Sequence, residues 1–188
     1  AYELVKEYVG SKAKVLNVID PTVTYLGQHY AEKTIGLIGT KQTVLSNVYK
    51  KKIDALDCGI NLKSLATPLL AAMIEEGFFN NTISESVIST YLSDPHLDDI
   101  SALILGCTHY PLIKNQIEEY YGGKVDVLDT SELVAEHVKQ FLQQHNLFSD
   151  KLQSNHHFYV SDFTQSFEEA TRIFFGKEVH LEHYPLWE

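Results

Sequence analysis

Long apolar runs are missing from this chain, and so are most of the patterns that announce a membrane, a disulfide scaffold or a bound metal. No stretch approaches the roughly 20 apolar residues that span a bilayer, and no charged-then-apolar leader opens the sequence. Cysteine occurs only twice, at Cys58 and Cys107. Two are too few for a disulfide framework, and their spacing is not that of a CxxC zinc or redox centre. Positive charge is also scarce: 15 Lys and Arg against 25 Asp and Glu give a formal net charge of -10. Such a surface repels phosphate backbones, so nucleic acid is not an expected partner. The expectations are a cytoplasmic location, no membrane contact and no metal, with at least one cysteine kept as a thiol for its chemistry.

What the chain does have is enough apolar material for a core: 44% of its 188 residues are hydrophobic and 21% charged, the balance of an ordinary globular protein. Short branched-apolar runs at 15–19, 35–38, 62–66, 102–105, 125–128 and 158–160 read as strands. Longer amphipathic runs at 45–56, 69–76, 85–92, 112–120, 133–142 and 167–175 read as helices between them. Strand and helix in alternation predict an α/β fold with a mainly parallel sheet and right-handed crossovers. Pro111 stands where a first helical residue belongs, and Ser131 and Asp162 stand where N-caps belong. The polar stretch 146–155 is linker-like but short enough for a surface loop. The opening AYELVKEYVG reads as a helix already under way with no strand before it, as if the chain were cut inside an α/β unit.

The run from Gly106 to Pro111 carries the chemistry. Cys107 follows a predicted strand and precedes a predicted helix, which puts it at the carboxyl edge of the sheet, where open α/β folds bind ligands. Backbone N–H groups and the positive end of a helix there can hold a carboxylate and lower a thiol pKa. Thr108 adds a hydroxyl donor, and His109 is placed to exchange a proton with the thiol or with a substrate amine. A buried cysteine after a strand is also the normal habit of a small hydrophobe, and position alone leaves both readings open. Cys58, in the polar turn Asp57-Cys58-Gly59, has no base around it. His156 and His157 are neighbours on a predicted strand, so they point to opposite faces and read as surface residues rather than as a metal pair.

LILGCTHYPLI, from Leu103 to Ile113, resembles the second cysteine motif of glutamate racemases almost letter for letter. VIDPTV (18–23), IGLIGTKQTV (35–44), LATPLLAAMIEEG (65–77), VDVLDTSE and FYVSD resemble further segments of the same family, so the likeness covers essentially the whole chain. The resemblance implies two similar α/β domains with mainly parallel sheets, flanked by helices, and an active site at the domain interface. On that pattern residues 1–19 are a remnant of the first domain, 20–130 form the second, and 131–188 return to complete the first. It further implies a cofactor-independent isomerase that interconverts L- and D-glutamate with two thiols acting from opposite faces of Cα, supplying D-glutamate for peptidoglycan. Cys107 is then the thiol that deprotonates the L-enantiomer, His109 assists it, and Glu75 orients the histidine. Thr108, Thr40 and Thr43 hold the carboxylate end of the substrate or adjoining groups.

Each role has a plainer alternative. Glu75 and Glu76 form a charged pair of the kind found on a solvated helix face, Thr40 suits an N-cap, and Thr43 suits a surface position in a first turn. The family's opening Asp-Ser-Gly strand and its first motif, Cys-Asn-Thr, are not found here. A polypeptide of just these 188 residues is therefore expected to be inactive alone, and a homodimer is one assembly open to the whole protein. Racemases of aspartate or hydantoin, a thiol hydrolase and a non-catalytic glutamate-binding fragment are the competing readings. Aspartate racemases usually carry Glu where this chain has His109.

Overall fold

The computed structural model describes residues 2–79, 81–149, 151, 156–162, 171–172, 175–176 and 179–185. Four strands, β1 (Thr34–Gly39), β2 (Asn61–Ala66), β3 (Ala102–Gly106) and β4 (Asp126–Asp129), form one parallel sheet in the order β2-β1-β3-β4. The α/β class and the parallel sheet are as expected. Leaving β1 the chain moves to one side, to β2; it then crosses back over β1 to β3 and continues to β4. The gap between the carboxyl ends of β1 and β3 is thus the topological switch point, where neighbouring connections run to opposite faces and open a crevice.

Alternation along β1 and β3 explains both faces. Ile35 and Leu37 of β1 join Ala102 and Ile104 of β3 against α2 (Asp20–His29) and α4 (Val48–Asp54), where Val23, Leu26, Tyr49 and Ile53 are buried. Ile38, Leu103 and Leu105 turn the other way. They pack on α5 (Pro68–Glu75), α6 (Thr82–Leu92) and α7 (Lys114–Tyr121) through Leu70, Met73, Ile74, Ile88, Leu92 and Ile117. Each such side chain contributes roughly 1.5–3 kcal/mol on burial. Surface pairs such as Lys50–Asp54, more than half exposed on both sides, are worth about 0–1 kcal/mol. The two apolar layers, not the ion pairs, therefore fix where the strand ends lie.

Several local expectations are corrected. Residues 15–19 form no strand, because their backbone donors go to a side chain rather than a ladder: Asn17 Oδ1 accepts from the N–H groups of Ile19 at 3.0 Å and Asp20 at 2.8 Å. This turn launches α2, a helix not foreseen, with Pro21 in its first turn. The helix expected at 45–56 is the shorter α4, and a separate short helix, α3 (Lys41–Leu45), precedes it; Asn47 at φ 53° stands between them, a left-handed conformation that Asn tolerates better than most residues. Residues Tyr110–Ile113 form a 3₁₀ turn before α7 begins. The cap of α8 (Thr130–Gln144) is Asp129, not Ser131: its carboxylate accepts from the Ser131 N–H at 2.8 Å and from the Ser131 hydroxyl at 2.6 Å.

The opening helix α1 (Tyr2–Val9) is present, and no residue of α1 or α8 is buried. Strands β5 (Phe158–Val160) and β6 (Leu181–His183) pair in parallel as a separate two-stranded sheet. His157 Nδ1 lies 2.8 Å from Glu182 Oε1 there, with both side chains exposed. The helix expected at 167–175, the cap role of Asp162 and much of 146–155 fall largely outside the described residues. Among the described residues no helix is long and apolar enough to cross a membrane, and no three His, Cys, Asp or Glu side chains gather as a metal site.

Candidate active site

At the switch point the ends of β1 and β3 lie side by side, Gly39 opposite Gly106 in the parallel register. Bare backbone is needed there. A Cβ on Gly106 would stand 2.8 Å from the Ile38 carbonyl oxygen and 2.7 Å from Leu37 Cδ1, and one on Gly39 would stand 3.2 Å from the Thr43 side chain. Backbone cannot yield as a flexible side chain can, so Gly106→Ala is expected to destabilise the fold by about 1–3 kcal/mol. It should also displace Cys107, which follows directly. Denaturant unfolding of the variant checks the first effect, and an unchanged midpoint would remove the steric argument.

Cys107 leaves β3 half-buried, and its Sγ lies 3.5 Å from His109 Nδ1 in the turn that follows. The other ring nitrogen, His109 Nε2, is 3.0 Å from Glu75 Oε1 at the last residue of α5. Glu75, not Glu76, makes this contact, because Leu70, Met73 and Ile74 set the phase in which α5 meets the sheet; Glu76 is the C-cap residue beyond its end. An Nε2–H donated to the carboxylate leaves Nδ1 as an acceptor facing the thiol, so the triplet is wired to take the thiol proton and return it. Burial pushes the Cys107 thiol above its ordinary pKa; the His109 backbone N–H pulls against this and the Glu75 carboxylate adds to it. The sulfur is thereby held as a proton-bearing thiol rather than as a standing thiolate.

The hydroxyls expected at the site divide between scaffold and opening. Thr40 caps α3, accepting from the Thr43 N–H at 3.2 Å, and the two threonine oxygens are 3.0 Å apart. Only one of their two hydroxyl protons is used between them, so the other can be donated outward. Thr43 Cγ2 would lie 3.5 Å from a Cβ on Gly106, which puts Thr43 beside the residue preceding Cys107. Thr108 is exposed at the mouth of a cleft of about 310 Å³, whose walls include Gly106, Cys107 and Pro111 on one side and Ser131, Val134 and Ala135 of α8 on the other. Val18, from the turn that replaces the expected strand, forms part of its rim.

Cys58 is elsewhere. It stands three residues before β2, its backbone carbonyl accepting from the Glu32 N–H at 2.9 Å, and so lies at the amino edge of the sheet. A six-residue strand, about 17 Å long, separates that edge from Cys107. Two residues not singled out in the sequence also belong to the site, Thr67 and Tyr110, both fully buried. The signals for them were a Thr-Pro pair at a helix start and a hydroxyl-bearing aromatic in a branched-apolar run.

A parallel α/β sheet thus brings a thiol, an imidazole and a carboxylate into line at its switch point, an arrangement able to pass a proton. The chain belongs to the Asp/Glu/Hydantoin racemase family, whose pattern matches residues 6–138. It is 34% identical over 174 residues to a glutamate racemase of Streptococcus pneumoniae serotype 19F (strain G54), covering 92% of this chain and 66% of that protein. To a glutamate racemase of Chlorobaculum parvum it is 36% identical over 146 residues, covering 77% of this chain and 54% of that protein. The chain thus spans between about half and two thirds of the length of these curated relatives. Its fold matches the crystal structure of glutamate racemase from Francisella tularensis in complex with D-glutamate at a TM-score of 0.86 and 32% identity, covering 98% of this chain and 68% of that one. A glutamate racemase isoform of Bacillus anthracis matches at a TM-score of 0.87 and 28% identity, covering 97% of this chain and 69% of that one.

Proposed function

We propose that this protein is a glutamate racemase and that Cys107 is one of its two proton carriers. The observation that supports this most is the line Cys107–His109–Glu75, with contacts of 3.5 and 3.0 Å, at the sheet edge where the fold places ligands. Similar relatives are glutamate racemases, and one of the similar solved structures holds D-glutamate. Cys107 takes the α-proton of L-glutamate, passing its own proton to His109 beforehand, and Glu75 stabilises the imidazolium that forms. In the reverse direction the same thiol delivers a proton to that face. Thr108 and the spare hydroxyl proton of the Thr40–Thr43 pair donate to the substrate's carboxylate end.

Inversion needs a second carrier on the opposite face of Cα, because a single base returns the proton where it took it. Cys58, at the far edge of the sheet, does not supply it. The unit 20–130 acts as the domain that presents Cys107. In support, every strand of the four-stranded sheet and every buried residue of its two apolar layers lies within those bounds. The residues around it complete a partner domain, with the substrate between the two. The reaction needs no bound cofactor in this reading, runs in the cytoplasm and supplies D-glutamate for the cell wall.

The test is D-glutamate formation from L-glutamate by the full-length protein, followed by circular dichroism, with L-aspartate assayed alongside. Turnover of glutamate at least about 100-fold faster than aspartate is expected. Equal turnover of both, or none of glutamate, would overturn the assignment.

A further inference from the structure

Two buried hydroxyls tie together the loops that carry the site. Thr67 ends the β2 segment and precedes Pro68 at the start of α5, the helix that ends in Glu75. Tyr110 follows His109 directly. The Tyr110 phenol donates to the Thr67 carbonyl at 3.1 Å, and its oxygen lies 2.7 Å from Thr67 Oγ1. Thr67 is bound in turn to the end of β1, its N–H donating to the Gly39 carbonyl at 2.8 Å and its hydroxyl lying 3.3 Å from the same oxygen. Three strand ends meet in this one knot: Gly39 next to Thr40, Thr67 at the root of the Glu75 helix, and Tyr110 beside the cysteine and histidine.

We infer that Tyr110 and Thr67 form a positioning clamp that sets the Cys107–His109–Glu75 geometry for proton transfer. This inference rests on the racemase reading above. The two proton-transfer contacts join elements that local structure alone does not bring together: α5 on one side, the turn after β3 on the other. His109 belongs to the turn after β3, and Glu75 is the last residue of its helix. The clamp is the buried polar link between these two elements, and its polar atoms are shielded from water, where hydrogen bonds hold geometry most firmly. Burial pushes the Tyr110 phenol up to about 12, with Thr67 pulling against it, so the phenol remains a donor across the working pH range. Neither residue needs to touch substrate. Small displacements of a proton carrier have large effects on rate, so loosening the clamp acts on turnover more than on substrate affinity.

The experiment compares Tyr110→Phe, Thr67→Val and Thr67→Ser with a control, Tyr121→Phe, whose buried phenol oxygen has no hydrogen-bond partner among the described residues. Two readouts are taken on the full-length protein: kcat and KM with each enantiomer, and the rate of iodoacetamide alkylation at Cys107 relative to Cys58, resolved by peptide mass spectrometry. Cys58 reports global loosening because it lies at the other edge of the sheet. For Tyr110→Phe and Thr67→Val, kcat is expected to fall about 10- to 100-fold with KM within about twofold. Alkylation of Cys107 should rise several-fold against Cys58. Thr67→Ser keeps the hydroxyl and should stay near wild type, as should Tyr121→Phe. Unchanged kcat in Tyr110→Phe overturns the clamp, as does equal acceleration at both cysteines or an equal loss in Thr67→Ser and Thr67→Val. Wild-type protein without turnover overturns the racemase reading instead and leaves the alkylation ratio to decide the clamp.

Discussion

Cys107→Ala is expected to abolish racemisation from both enantiomers, with a loss of at least about 10⁴-fold in kcat. Each direction needs both carriers, one as base and one as acid, so removing the sulfur stops both the abstraction of L-glutamate's proton and the protonation that would make L-glutamate from its enantiomer. The alanine side chain is smaller and apolar at a half-buried position, so the fold should persist and the loss should be chemical. Unfolding midpoints within a few degrees of wild type would establish that. Cys58→Ala should keep nearly full activity, since its turn at the amino edge faces away from the cleft. A Cys107→Ala protein that retained substantial turnover in either direction would remove Cys107 from the mechanism.

His109→Asn is expected to lower kcat/KM by about 10² to 10⁴. The two enantiomers have equal free energy, so the loss in kcat/KM must be the same for both, and directionality has to be read elsewhere. It appears in the isotope effect. With proton transfer through Cys107 slowed, the step at that sulfur limits the rate more fully. The α-deuterium effect should therefore rise with L-glutamate, whose proton goes to Cys107, and fall with D-glutamate, whose proton goes to the opposed carrier. Asn keeps a polar side chain of similar reach but has no nitrogen that can take up the thiol proton. A loss of the predicted size with the two isotope effects unchanged would assign His109 to substrate binding instead.

The parts of this architecture that could be read in the sequence were those determined within a few residues. The all-apolar stretch of β3 shows that both its faces are covered, and Pro111 within the motif marks the turn out of the strand. The break at Asn47 was missed because the apolar spacing of 45–56 runs on through it; the left-handed backbone at that residue, φ 53°, separates α3 from α4. The stretch 15–19 looked like a strand by composition, but a strand also needs a partner, and Asn17 takes the donors that a partner would have used. Glu75 could be chosen over Glu76 only by register, since adjacent carboxylates are alike until the phase of α5 is known. The Tyr110–Thr67 contact spans 43 residues. It arises from the crossover of β2 to β3, which no local pattern announces.

The most direct measurement of the central claim is deuterium incorporation at Cα when L-glutamate is incubated with the full-length protein in D₂O, compared across wild type, Cys107→Ala and Cys58→Ala. The account predicts that wild type and Cys58→Ala yield D-glutamate carrying solvent deuterium at Cα, and that Cys107→Ala yields neither D-glutamate nor labelled substrate at a comparable rate. Undiminished labelling in Cys107→Ala, or its loss in Cys58→Ala alone, would contradict it.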